Sequence, residues 1–484
     1  MVARRSLLSA FSALTTLPLF SSVSAAEPSD KVVGETATQQ RGETARVPVV
    51  TPNGHTLPWK WVDGAKEFHL VAEEVDHEFA PGCVAKCWGY NGSTPGPTIE
   101  AVEGDRVRIL VTNHLKEWTT VHWHGLILPN GMDGVGGLNQ PDIKPGETYA
   151  YEFTLKQAGT HMYHPHADEM VQMAFGMMGF FIIHPKAVEP EPVDRDFAIM
   201  LHNWALHPGT YRPDPAVMLE FDLWTFNSKV FPATAPIVVR LNERVRIRVG
   251  NLSMWNHPIH IHGHKFWVTG SDGDRWPKSA WRSEVTEIVG VGQMRDFEFV
   301  ADNPGDWAFH CHMAHHTMNA MGHTVANPTG VDQSGVEKDI RSMLPGYVPM
   351  GKDGMAEHGE HLAMGLQGPE NTIPMMTGKG PFGSIEMGGM FTVLKVRDGL
   401  AAGDYNDPGW YRHPPGTVAR KVAFDPAYAV PDPMSGMQHG GHSMHDMPGI
   451  DMKDMKDMKD MKDMKDMKDM DMSGMNHGSR RKQQ

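Results

Sequence analysis

Residues His310, Cys311 and His312 stand side by side, with His316 and Met321 close behind. Successive side chains on a β-strand point to opposite faces. His310 and His312 are therefore expected on one face and Cys311 on the other, so three consecutive residues can serve two metal centres. A thiolate, an imidazole and a long axial thioether make up a blue-copper electron-transfer site, and Cys311, a later His and a Met supply that set. Three further words carry closely spaced histidines: His122-Trp123-His124-Gly125, His164-Pro165-His166 and His257-Pro258-Ile259-His260-Ile261-His262-Gly263. One His-x-His is weak evidence, because paired histidines on strands are often ordinary surface residues. Four such words, one wrapped around a cysteine, are not what a packed core produces. The chain's 28 His and 35 Met repeat the theme, since imidazole and thioether are both copper ligands.

The elements that must position these words read as β-structure. In residues 66–190, short alternating runs such as Arg106–Val111 and Tyr149–Phe153 predict half-buried strands. Turn signals separate them at Thr94-Pro95-Gly96-Pro97, Asn130-Gly131 and Lys144-Pro145-Gly146, and Gly179–Ile183 reads as a closing strand. Residues 196–328 repeat the logic: Val238–Leu241 and Val245–Val249 echo the first unit, and Asn303-Pro304-Gly305 leads into the cysteine word much as Ala158-Gly159 leads into His164. The expectation is an all-β chain, a Greek-key β-sandwich twice over. An export signal is expected over 1–25 and a flexible arm over 26–65. Residues 331–430 read as an irregular C-terminal extension with one strand-like run, Met390–Val396. Residues 431–484 form a Met/His/Asp-rich tail whose six consecutive Asp-Met-Lys triplets predict disorder.

Composition narrows the possible partners. A length of 484 residues suggests two to four domains, and 40% hydrophobic content can fill real cores. A net charge of −14 argues against nucleic acid. The apolar run Leu7–Phe20 is too short to span a bilayer and is followed by a Val23-Ser24-Ala25 cleavage signal, so an exported, periplasmic protein without a membrane span is expected. Arg4-Arg5 fits twin-arginine export or an ordinary secretory signal equally. Cys83 and Cys87 lie too far apart on a straight strand for a disulfide, but Pro81-Gly82 permits a bend; a bridge and two buried thiols both remain open.

The four histidine words, in this order, resemble the multicopper oxidases, the laccase-like family. That resemblance implies two cupredoxin domains, with His257, Cys311, His316 and axial Met321 holding a type 1 copper. It implies His122 and His260 on a type 2 copper, and His124, His164, His166, His262, His310 and His312 on a type 3 pair, giving four coppers per chain. A core methionine is the competing, lesser reading for Met321. Asp133, after the first word, matches an acidic residue that some members place beside the type 2 centre as a proton relay; a plain turn residue before Gly134 is the competing reading. Some members also carry an acidic residue beside the second histidine of the type 1 site; here the neighbours of His316 are His315 and Thr317, and Asp168 or Glu169 could substitute in that part of the relay.

His124 and His257 are 133 residues apart, which leaves no room for a middle domain. The two-domain branch implied by this spacing shares its cluster between subunits, so a homotrimer is expected, with a monomer as the alternative. The resemblance implies O2 as oxidant and a phenolic, aromatic-amine or Cu(I) reductant; the tail favours Cu(I) and copper tolerance. A copper-sequestering protein with little turnover is the alternative from another class. Copper nitrite reductases are set aside, because they carry the thiolate in the first domain.

Overall fold

A computed structural model of the chain describes residues 46–319 except 208 and 220, together with 338, 370, 371, 373 and 378–423. The expected signal, the tail, Met321, and most of 331–377 lie outside the described residues.

The fold is all-β, built as two sandwiches. In the first, one sheet runs in the order Trp59–Val62, Ala65–Ala80, Arg106–Asn113, Thr148–Thr154, with Cys83–Tyr90 also paired to the long second strand. The facing sheet runs Ile99–Val102, Gly179–His184, Gly159–His164, His122–His124. Arg106–Asn113 alternates exposure along its length, and its inward residues Val107, Ile109 and Val111 meet Trp123, Tyr163 and Phe181 from the other sheet. Trp123 is fully buried. The residue between the two histidines of the first word therefore anchors the strand in the core, and alternation turns His122 and His124 the other way.

The second sandwich repeats this plan. An eight-stranded sheet contains Arg195–Trp204, Arg244–Asn251 and Met294–Val300. It packs on a five-stranded sheet ordered Ile237–Arg240, Phe391–Arg397, Gly305–Cys311, His257–Ile261, Thr286–Val289. The strand-like run near residue 390 is thus a central strand of this sheet, hydrogen-bonded to Gly305–Cys311 on one side and Ile237–Arg240 on the other. Ile247, Ile259, Phe297, Phe309 and Leu394 share the second core.

A third cluster, including Met162, Phe180, Met200, Leu252 and Met294, joins the two sandwiches. Beside it Arg248 grips Asp196 with two hydrogen bonds of 2.8 Å and donates to Thr160 of the first sandwich, also at 2.8 Å. Thr160 in turn donates to Asp296 at 2.7 Å. Buried charges cost free energy unless paired in this way, so the network locks one mutual orientation of the two sandwiches.

One expectation changes and one open question closes. Residues 46–65 belong to the folded body: Val49–Val50 pairs in parallel with Asp196 and Phe197, and Trp59–Val62 pairs with Ala65–Phe68. Their polar, Pro/Gly-punctuated sequence reflects edge positions, where one side of the strand stays solvated. Cys83 and Cys87 are both free, buried thiols. Burial pushes the Cys83 thiol up to about 12 and raises Cys87 as well, which suits inert core packing.

Candidate metal centres

Three sets of side chains bring possible ligand atoms within 4.8 Å of one another: His257, Cys311 and His316; His122, His124 and His164; and His260, His262 and His310.

The first set is buried, with all three residues 0% exposed. Register explains its assembly. Ile259 pairs with Cys311 across neighbouring antiparallel strands, and His257 lies two residues from Ile259 on the same face. The short 3-10 turn Ala314–Thr317 then brings His316 back over them. His257 Nδ1 and His316 Nδ1 are 3.1 Å apart, and Cys311 Sγ lies 3.6 and 3.4 Å from them. A metal held about 2.0–2.1 Å from nitrogen and about 2.3 Å from sulfur places such donors at about this spacing.

The protonation pattern fits as well. Ser253 Oγ lies 2.7 Å from Asn251 Oδ1 and 2.9 Å from the Trp255 carbonyl, so its proton is committed. It accepts from His257 Nε2 at 2.7 Å, which leaves His257 Nδ1 bare for a cation. Burial depresses His257 to about 3 and His316 to about 2, so both rings are neutral donors. Burial also pushes the Cys311 thiol up to about 12, against a lowering contact from the Met313 backbone; only a bound cation would make it a thiolate here. Trp224 stacks flat on His316 at 3.6 Å. Ser253 and Trp224 gave no signal in the sequence, since neither belongs to a histidine word.

The other two sets have matching construction. His122 faces His164 directly across antiparallel strands, and His260 faces His310 in the same way. His166 and His312 complete two quartets, their rings within 5.6 Å of His122 and 5.4 Å of His260 respectively. Backbone carbonyls fix four ring tautomers. His122 Nδ1 donates to Asp133 O at 2.8 Å, His164 Nδ1 to Pro165 O at 2.9 Å, His260 Nδ1 to Val285 O at 2.6 Å, and His310 Nδ1 to Cys311 O at 2.7 Å. Each leaves Nε2 as the ligand atom. His124 Nδ1 then lies 3.2 Å from His164 Nε2, and His262 Nε2 lies 3.1 Å from His310 Nε2. Burial depresses His164 to about 3 and His310 to about 4, again favouring neutral donors. These are soft-to-intermediate nitrogen donor sets with no lysine or arginine in them, which suits copper.

Among the described residues, ring contacts run within each quartet and none joins one quartet to the other. His262 and His312 are exposed. His310 and Cys311, consecutive on one strand, point into the second quartet and the thiol site respectively. Asp133 holds His122 through its backbone carbonyl, and its carboxylate Oδ1 is 3.6 Å from the same ring nitrogen. Glu169 lies 3.5 Å from His164 Nδ1 and 3.6 Å from His166 Nε2, while Asp168 starts the short helix Glu169–Ala174. His161 and His264 are buried, and His315 packs edge-on to His316 at 4.2 Å.

Two family profiles, both described as multicopper oxidase, match residues 72–188 and 208–331. Over 114 residues the chain is 45% identical to copper resistance protein A of Escherichia coli, covering 24% of this chain and 18% of that protein. Over 139 residues it is 39% identical to the L-ascorbate oxidase of Cucumis sativus, covering 27% and 23%. The crystal structure of blue copper oxidase from Nitrosomonas europaea matches with a TM-score of 0.51 at 27% identity, over 68% of this chain and 85% of that one. Multicopper oxidase mgLAC matches with a TM-score of 0.50 at 28% identity, over 71% and 91%. The chain spans less than a third of the length of the first curated relatives it matches, between 18% and 31%.

Proposed function

The chain belongs to the multicopper oxidases, and we propose that it takes single electrons from a phenolic, aromatic-amine or Cu(I) reductant and reduces O2 to water, serving copper tolerance. The observation that carries this reading is the strand end His310-Cys311-His312, which joins a buried His2Cys site to a histidine quartet through consecutive residues. Copper bound at these sites would supply reversible one-electron chemistry and the four-electron reduction of dioxygen without free peroxide.

The chain's own residues then have distinct tasks. Cys311, His257 and His316 would hold the type 1 copper, with Met321, by family spacing, as a further ligand. Trp224 and Ser253 cover its imidazoles and exclude water. His122 and His260 would hold the type 2 copper; His124, His164, His166, His262, His310 and His312 would hold the type 3 pair. Asp133, whose carboxylate lies close to His122, would carry protons to this site.

Each quartet supplies half of that ligand set. We infer that the first quartet of one subunit meets the second quartet of another, and that this head-to-tail contact closes as a homotrimer with four coppers per chain. The exposure of His262 and His312, and of Val285 and Ile288 beside them, supports a covered face there. Export to the periplasm follows from the leader-like residues 1–25, by the twin-arginine or the general route. Among the described residues no helix is long and apolar enough to cross a membrane.

The test is copper stoichiometry with visible absorption, EPR and solution mass on the copper-loaded protein. Four coppers per chain, an intense blue band, type 1 and type 2 signals and a trimer mass are expected. Many coppers without the blue band would replace the oxidase by a copper-sequestering protein.

A further inference from the structure

His257, Cys311 and His316 supply three donors of a blue-copper set, whose fourth is a long axial thioether. Family spacing assigns that role to Met321, five residues after His316. The fold brings a different methionine to the thiol. Met390 stands at the head of the strand Phe391–Arg397, more than seventy residues after His316. This strand pairs with Gly305–Cys311, and the last pair of the ladder is His310 with Phe391. One step further, the Cys311 N–H donates to the Met390 carbonyl at 3.1 Å. Residues opposite each other on antiparallel strands share a face. On its other side, Cys311 pairs with Ile259. Cys311 therefore lies between an isoleucine, which has no donor atom, and a methionine, which has one.

Burial agrees with this placement. Met390 and Cys311 are both fully buried and belong to the same core cluster, with Ile259 and Leu394. Among the described residues, Met390 is the one methionine buried in that cluster; Met313 packs on it from a partly exposed position. The backbone also ties Met390 to the segment that carries His316. Its N–H donates to the His316 carbonyl at 2.9 Å. Gly388 N–H donates to the Thr317 carbonyl at 2.7 Å, and Gly389 N–H to Asn319 Oδ1 at 2.9 Å. Gly389 has a φ of +53°, and a Cβ there would stand 2.2 Å from the His316 carbonyl oxygen. Glycine is what lets the chain pass so close. One residue, Met390, is thereby hydrogen-bonded to both segments that end in thiol-site ligands.

We propose that Met390 supplies the thioether of the thiol site in place of Met321; the proposal rests on the multicopper oxidase reading above. The ligand set is then split by an insertion. Three ligands lie within residues 257–316, and the fourth follows the extension of residues 320–388. Thioether sulfur is a weak, soft donor, which suits the axial role and tunes the potential of a copper held by two imidazoles and a thiolate.

The experiment uses the full chain and the variants Met390→Leu, Met390→Gln and Met321→Leu. Leucine nearly keeps the volume and removes the donor. The reduction potential of the blue centre is measured in the copper-loaded protein. Met390→Leu should raise it, because Cu(II) loses a donor. Met390→Gln should lower it, because an amide oxygen is a harder donor that favours Cu(II). Met321→Leu should leave it where it is. A methionine that merely packs the core would not move the potential in opposite directions. An equal or larger shift in Met321→Leu, or no shift in Met390→Leu, would overturn the proposal. Redox-silent Ag(I), titrated into the copper-free chain and followed by its ultraviolet thiolate band, gives a second readout. Its affinity for the thiol site should fall about tenfold in Met390→Leu, as for other lost partners at metal sites. An unchanged silver affinity would also overturn the proposal. A parent without a blue band, whose silver affinity still falls in the variant, would sink the oxidase reading and leave the Met390 assignment standing.

Discussion

The two sandwiches carry the same histidine pairing but only the second carries a thiol beside it. His122 opposite His164 has ring centroids 5.3 Å apart; His260 opposite His310 has 5.6 Å. The residue after His164 is Pro165, where the second sandwich has Cys311. Three residues before His122 stands Thr119, buried and donating to Gln172 at 2.7 Å, where the second sandwich has His257. A duplicated strand pair therefore suffices to build a half-site of ring nitrogens. Changing two positions on its opposite face, and adding a turn that returns His316, adds a site of different chemistry one residue away. On the proposed reading, the comparison also separates a site built within one chain from two half-sites that meet between subunits.

Cys311→Ser is the sharpest way to erase the difference. It leaves the histidines of the second quartet in place and gives the second sandwich the thiol-free character of the first. The intense blue absorption and all reductant-driven oxygen uptake should vanish, while type 2 and type 3 copper should still load. Retention of the blue band would show that the colour, and the electron-accepting site, reside elsewhere. The next largest effect should come from Ile288→Asp. Ile288 is 58% exposed on the strand Thr286–Val289, beside the His260 strand, so a charge there spares the core. If the quartets close between subunits, a desolvated unpaired carboxylate should split the trimer and lower oxygen reduction at least about tenfold. The blue site, complete within one chain, should keep its spectrum. A stable trimer with full cluster signals would remove this face from the interface.

Much of this was legible because the decisive geometry is local. The alternation of a strand converts the order His310, Cys311, His312 into two faces without any knowledge of the fold. The odd offset between His257 and His260 separates them onto different sites by the same rule. What was not legible comes from distant partners. The carbonyls that fix His122 and His260 belong to Asp133 and Val285, 11 and 25 residues away, and a carbonyl leaves no mark in residue type. Asp133 illustrates this: its backbone positions His122 whatever its side chain does. Phe391–Arg397 read as one strand within an irregular extension because its partners, Gly305–Cys311 and Ile237–Arg240, lie more than eighty residues earlier. The cavity lined by Met170, Met173, Met218 and Met254 combines short segments from residues 124 to 292 that share no periodicity.

Ser253→Ala tests how the complete site is held. Removing the acceptor at His257 Nε2 frees the ring to rotate or change tautomer. Copper affinity at the blue site should fall about 10–100-fold, read by competition with a chelator, as for other partners of ligating imidazoles. The quartets should keep their copper, because their tautomers are fixed by backbone carbonyls that no side-chain substitution removes. Equal loss at both would mean that Ser253 supports the fold rather than the ring.

The smallest effect lies away from all three sites and concerns acid stability. His77 is buried, donates from Nε2 to the Ser228 carbonyl at 2.5 Å, and is depressed to about 4, first by burial and then by Lys229. Between its ordinary value and about 4 the unfolded chain takes up a proton that the folded chain refuses. This contribution is therefore fully present above the unfolded value and is lost as pH falls towards 4. Integrated over that window, it is at most about 3 kcal/mol. His77→Gln should flatten the fall in urea stability between neutral pH and pH of about 4 by up to that amount, while the blue spectrum at neutral pH stays the same. An unchanged pH slope would place the titrating group at another buried histidine. His202, also depressed to about 4 by burial, is the first to examine, since its proton uptake would register at the wall of the Met-lined cavity as well as in stability.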